Sequence, residues 1–136
     1  MRGRRSSWKR KTSGVSQGSV LGPLLFIIFA NDLETGVTTR VLKFADDTKV
    51  FSSVVDESDG RKLQHDLNVL CDWAQTWHMT FNVAKCKVMH LGYGGINHEY
   101  FMNDQKLEVI DSDKDLGVVV TSNLKLGDQC RQAYAK

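Results

Sequence analysis

Arg40-Val41-Leu42-Lys43-Phe44-Ala45-Asp46-Asp47-Thr48-Lys49-Val50-Phe51 decides how this chain is read. Two β-prone runs, residues 40–44 and 48–51, flank a pair of adjacent carboxylates, Asp46 and Asp47. The pattern predicts a hairpin over residues 38–53. Along a strand, neighbouring side chains point to opposite faces, so a hairpin tip is one of the few places where both can face one cavity. Paired carboxylates there suit a hard dication such as Mg²⁺, which takes oxygen ligands and keeps positions open for substrate phosphates. An Asp-Asp turn is also ordinary solvated turn chemistry. Its surroundings decide.

Working outward, residues 13–19 form a Gly- and Ser-containing loop that leads into a predicted helix at about 19–33. Pro23 is tolerated there only within the first turn, where its missing N–H costs nothing. Residues 24–30 are apolar on every face, which predicts a buried helix rather than an amphipathic one. Beyond the hairpin, Leu63, Leu67, Leu70, Ala74 and Trp77 form one helical stripe over about 58–78, with Ser58 as N-cap. That stripe has to lie on something, most simply the sheet bearing the hairpin. Short strands are expected at 87–91, 99–102, 106–109 and 116–120, and a helix over 124–136. The mixture gives an α+β fold, an antiparallel sheet with packed helices.

The 136 residues suffice for one small domain, and 41% apolar with 25% charged residues is ordinary globular composition. The net charge of +2 hides an asymmetry: residues 1–12 carry six basic side chains and no acid, leaving 12 basic against 16 acidic residues elsewhere. An acidic body with a basic arm is not a free-standing nucleic-acid clamp, which would spread Lys and Arg over a face. The arm is read as a solvated terminus, with phosphate contact or a nuclear signal as the functional alternatives. Cys71, Cys86 and Cys130 are odd in number and widely spaced, which argues against a disulfide framework and for a reducing compartment. A zinc set built from Cys86, His90 and His98 lacks the usual paired spacing. With no secretory signal and no apolar run long enough to cross a bilayer, the expectation is an intracellular protein of nucleus or cytoplasm, not secreted and without a membrane partner.

The hairpin stands in a series of motifs. Ser13-Gly14-Val15-Ser16-Gln17-Gly18-Ser19-Val20-Leu21-Gly22-Pro23-Leu24-Leu25-Phe26 and Asn31-Asp32-Leu33 precede it. Asn82-Val83-Ala84-Lys85-Cys86-Lys87-Val88 and Lys114-Asp115-Leu116-Gly117-Val118 follow it. In this order and at these intervals the set resembles the palm region of reverse transcriptases from non-LTR (LINE-type, jockey-like) retrotransposons. The resemblance runs from about Ser6 to the end of the chain. It implies template-directed nucleotidyl transfer, in which two Mg²⁺ ions clamp the attacking and leaving oxygens, with an RNA template and a DNA primer as partners.

Residue by residue, the resemblance makes Asp46 and Asp47 the catalytic and metal-binding pair, Asp46 bridging the metals and Asp47 supporting. Phe44 would anchor the strand and Ala45 would leave room for the primer end. Gln17 and Gly18 match the motif that contacts the template and the nascent base pair, although Ser16 stands where the family usually has Pro. Lys85 matches the element beside the nucleotide triphosphate, where a Lys neutralises phosphate charge. Leu116 and Gly117 match the primer grip. Each has a plain structural alternative: Gln17-Gly18 as helix-entry loop, Lys85 as surface lysine, Leu116 as core. Trp8, Trp73 and Trp77 could stack bases, but the position of Trp77 on the stripe favours packing.

The implied domains are a basic arm (1–12), a partial palm (13–122) and the start of a thumb (123–136). The family has a further carboxylate on a strand well upstream of the Gln-Gly loop, whereas Asp32 and Glu34 are the acids before the hairpin here. Fingers are not in evidence and the thumb stops after its first turns. The expectation is therefore a fragment of an RNA-directed DNA polymerase, inactive as it stands. A non-catalytic palm remnant, serving as an RNA- or protein-binding scaffold or without a function, is the alternative.

Overall fold

The computed structural model describes residues 14, 18–92 and 94–134. The chain divides into two units, Met1–Asp32 and Leu33–Lys136.

The described part of the first unit is dominated by α1, Leu21–Phe29. Ser19 Oγ accepts from the Gly22 N–H at 3.0 Å, satisfying one of the donors that a helix start leaves unpaired. Pro23 falls in the first turn, where the sequence requires it. The expected burial is not found: Leu21, Leu24, Leu25, Ile27 and Ile28 are all more than half exposed, and Gly22 alone is buried. A helix apolar on every face needs a cover on every face, and the described residues of its own unit do not supply one.

The second unit is built on α2, Glu57–Thr76. Asp56, in extended conformation, caps it by accepting from Asp59 N at 3.0 Å, two residues earlier than the expected Ser58 cap. The Asp59 carboxyl is held below its ordinary pKa by the Lys62 ammonium and by the Val55 N–H. At the other end His78 adopts φ 53°. His78 N–H donates to Gln75 and Met79 N–H to Ala74, closing the helix in a Schellman turn. The stripe expected from the 3.6-residue period packs inward: Leu67, Leu70 and Ala74 are buried and Leu63 is partly so. Trp77 departs from it. It is half exposed, tilted against Trp73 at 6.5 Å, because the helix ends there and the chain turns away.

Leu33, Leu67, Leu70, Cys71, Tyr100, Met102 and Leu107 form the core, each side chain worth roughly 1.5–3 kcal/mol when fully buried. Gln64 joins α2 to the chain at Phe101, its amide accepting from Phe101 N–H at 2.8 Å and donating to Phe101 O at 2.9 Å. The side chain completes a strand edge that would otherwise be open.

In place of one antiparallel sheet, the described residues form four separate two-stranded ladders. β1 (Arg40–Phe44) and β2 (Asp47–Phe51) are antiparallel, β3 (Lys87–Val88) and β6 (Glu108–Val109) parallel. β4 (Phe101–Met102) pairs with β5 (Gln105–Lys106), and β7 (Ser112–Asp115) with β8 (Val118–Thr121), both antiparallel. Turns at Asn103-Asp104 and Leu116-Gly117, all four residues at positive φ, interrupt the chain after two to four strand residues. Strands so short cannot carry a continuous sheet. The C-terminal helix α3 covers Gly127–Tyr134. The α+β class stands. Among the described residues, no helix is long and apolar enough to cross a membrane.

Candidate functional site

The β1–β2 ladder is in register from Arg40↔Phe51 to Phe44↔Asp47, so Ala45 and Asp46 form the two-residue turn and Asp47 opens β2. Ala45 sits at φ 51°, a conformation that costs a non-glycine residue of order 1 kcal/mol and here turns the chain tightly. The register assigns the faces. Val41, Lys43, Thr48 and Val50 share one, and Val50 packs on the core. Leu42, Phe44, Asp47 and Lys49 share the other. On that outer face Leu42 and Phe44 are 61% and 62% exposed. Phe44 therefore does not anchor the strand, as expected of it, but lies in solvent beside Asp47. Alternation of the pleat explains this, since Phe44 has the parity opposite to Val41, whose cross-strand partner Val50 packs on the core.

Asp46 and Asp47 are both exposed. Among the described residues neither carboxylate takes part in a hydrogen bond or ion pair. The base of the hairpin is the reverse case. Asp66, on α2 and 0% exposed, accepts from Thr38 N–H (3.1 Å), Thr38 Oγ1 (3.0 Å) and Thr39 N–H (2.8 Å). Burial pushes its pKa up, but these donors outweigh it and hold the carboxyl below its ordinary value. Thr39 Oγ1, buried beside it, has no partner of bonding geometry among the described residues. Asp66 thus bolts the entry of β1 to the central helix. The sequence reading passed over it, although a charge at position 66 falls on the stripe between Leu63 and Leu70. Two ion pairs add to the mounting: Lys43 to Glu34 at 3.6 Å, and Lys49 to Asp115 at the end of β7.

Asp115 immediately precedes Leu116-Gly117, the turn joining β7 to β8. Leu116 is 61% exposed at φ 46°, a strained conformation for a bulky residue. It is not core. Lys85 ends a short 3₁₀ turn, Val83–Lys85, whose Val83 and neighbouring Cys86 pack on the core while Lys85 faces solvent. Gly18, at φ 80° with open space where a Cβ would be, belongs to the other unit. Gln17 lies outside the described residues. The structure therefore brings Phe44, Asp46 and Asp47 to one tip and links that hairpin to the one bearing Leu116 and Gly117. Among the described residues, no hydrogen bond or ion pair draws Lys85 to them.

No cluster of three His, Cys, Asp or Glu side chains gathers among the described residues, which leaves the zinc set of Cys86, His90 and His98 unassembled. Two adjacent solvent-facing carboxylates fit a different kind of site. Mg²⁺ keeps several waters and is commonly held by one or two carboxylates together with substrate phosphates.

The profile of the reverse transcriptase (RNA-dependent DNA polymerase) family matches residues 1–124. The chain belongs to the reverse transcriptase family. It is similar to the RNA-directed DNA polymerase from mobile element jockey of Drosophila melanogaster, at 36% identity over 62% of this chain and 10% of that protein. The jockey polymerase of Drosophila funebris is 37% identical over the same shares. The match thus spans about a tenth of the length of these curated relatives. No solved structure matches the chain significantly.

Proposed function

We propose that this chain is part of an RNA-directed DNA polymerase of the LINE type, and that the β1–β2 tip is its nucleotidyl-transfer centre. The observation that carries the reading is the bare carboxylate pair at a turn whose base is bolted to a helix. Asp66 is saturated by donors, whereas among the described residues this pair has no hydrogen-bond or ion-pair partner and stands on a hairpin whose base Asp66 fixes. Mg²⁺ bound there would polarise the transferred phosphate and stabilise attacking and leaving oxygens.

The chain's own residues do the rest. Asp46 and Asp47 offer oxygens on the solvent side of the turn. Phe44 and Leu42 give an apolar platform beside them on which a sugar or base can lie. Leu116 and Gly117 present the primer-gripping turn, Lys85 neutralises triphosphate charge, and Gln17-Gly18 meets the template. Residues 13–122 are read as palm and 123–136 as the beginning of the thumb. Two carboxylates alone hold a reluctantly dehydrated ion weakly, so these 136 residues by themselves do not extend a primer.

Primer extension on a poly-A template with Mg²⁺ or Mn²⁺ tests this. The chain alone should incorporate nothing. Joined to the fingers and preceding palm strand of a jockey-type relative it should extend, and Asp46→Asn should abolish that. Extension that survives Asp46→Asn in the joined protein would overturn the assignment.

A further inference from the structure

The β1–β2 hairpin carries three basic residues, Arg40, Lys43 and Lys49, and two carboxylates at its tip. Lys49 is the basic residue that threatens those carboxylates. It shares the outer face of β2 with Asp47, two residues on, so their backbones are about 7 Å apart and a lysine stem spans that gap. An ammonium resting on Asp47 would offset the charge that draws a dication, and would occupy oxygens the ion needs. In the structure Lys49 is turned elsewhere. Its ammonium pairs with Asp115, both side chains 37% exposed, while Lys43 on the opposite face is taken by Glu34.

Asp115 is also the last residue of β7, directly before the strained, exposed Leu116 and Gly117. One ion pair therefore does two things. It withdraws a cation from Asp47, and it ties the hairpin that presents Leu116 to the strand that begins with Asp47.

Building on the metal-site reading above, we propose that Asp115 is a positioning residue for the Asp46/Asp47 centre: by pairing with Lys49 it keeps that ammonium off Asp47 and couples the β7–β8 hairpin to β2. Asp115 touches neither substrate nor metal. It acts through Lys49.

The consequence is a pair of effects with opposite sign. Asp115→Asn releases Lys49 toward Asp47 and should weaken Mn²⁺ binding by about twofold to fivefold, the range of an exposed charge pair. Lys49→Gln removes the competing cation and should tighten it by a similar factor. Asp115→Glu keeps the charge and should restore the wild-type value. A merely structural pair would make both disruptive variants weaker. The test is Mn²⁺ titration of the 136-residue chain and these variants, followed by electron paramagnetic resonance of the free ion. It is combined with nuclear Overhauser contacts of Lys49 Hε in the metal-free protein. Those contacts should run to Asp115 Hβ in the wild type and move to Asp47 Hβ in Asp115→Asn.

Binding constants that shift in the same direction in Asp115→Asn and Lys49→Gln would overturn the proposal. So would a wild-type Lys49 in contact with Asp47 rather than Asp115. Failure of the metal-site reading has a different signature: saturable Mn²⁺ binding unaffected by Asp46→Asn. The Overhauser contacts judge the Lys49–Asp115 coupling whatever the metal does.

Discussion

The base and the tip of the β1–β2 hairpin both present aspartate, under opposite conditions. Asp66 at the base is fully buried and accepts from Thr38 and Thr39 on both oxygens. Asp46 and Asp47 at the tip are exposed and, among the described residues, have no hydrogen-bond or ion-pair partner. Charge inside a protein is retained where donors compensate for its lost hydration. Charge left bare at a turn contributes little to stability and is available to a ligand. The first arrangement makes a mount, the second a working surface, and each should respond to substitution in its own currency.

The largest separation is expected at Asp46. In a protein completed with the fingers and preceding palm of a jockey-type relative, Asp46→Asn should lower extension on the order of 10³-fold or more, since a lost metal ligand removes several kcal/mol of transition-state stabilisation. Its thermal melting should stay within about 0.5 kcal/mol of the parent, as for other surface substitutions. Comparable losses in both quantities would erase the contrast.

Asp66→Asn should do the reverse to stability. An amide cannot accept on both sides, so at least one buried donor at Thr38 or Thr39 is left unpaired, at a cost of about 3 kcal/mol in chemical denaturation. The same carboxylate predicts a pH dependence. Because its folded pKa is depressed, its contribution is fully present above the unfolded value near 3.9 and is lost as pH falls through the folded one. Acid titration of stability should be shallower in Asp66→Asn than in wild type below about pH 4. Equal slopes would remove Asp66 from the account.

A smaller effect sharpens the picture of the mount. A Cβ on Gly60 would come within 2.6 Å of the His98 ring, which is itself paired with Glu57 at 3.2 Å. Gly60→Ala gains about 1 kcal/mol of helix propensity, yet overpacking of this kind costs about 1–3 kcal/mol. A net loss near 1 kcal/mol is expected. A net gain would mean that His98 moves aside freely.

The hairpin and the central helix were legible because each is a local pattern. Two β-prone runs around a short polar turn fix the ladder, and a 3.6-residue period fixes the buried face of α2. Both appear with boundaries shifted by only one or two residues. Asp66 was not legible, since its donors at residues 38 and 39 are distant in sequence, though its place among Leu63, Leu67 and Leu70 was a signal. The family resemblance implied that Phe44 anchors the strand, whereas the pleat places it outward. The composition of α1 states a need for burial and cannot state what meets it. The strands after residue 86 were read as a sheet, but turns at positive φ divide them into ladders too short to merge. Of the candidate site, the tip was visible as a motif, and the ion pair between Lys49 and Asp115 was not, because neither residue is unusual alone.

Mn²⁺ titration followed by amide relaxation tests the contrast most directly. The account predicts that the amides of Ala45, Asp46, Asp47 and Thr48 broaden first, that those of Thr38 and Thr39 around Asp66 do not follow them, and that Asp46→Asn removes the effect. Broadening centred elsewhere, or persisting at the tip in Asp46→Asn, would contradict it.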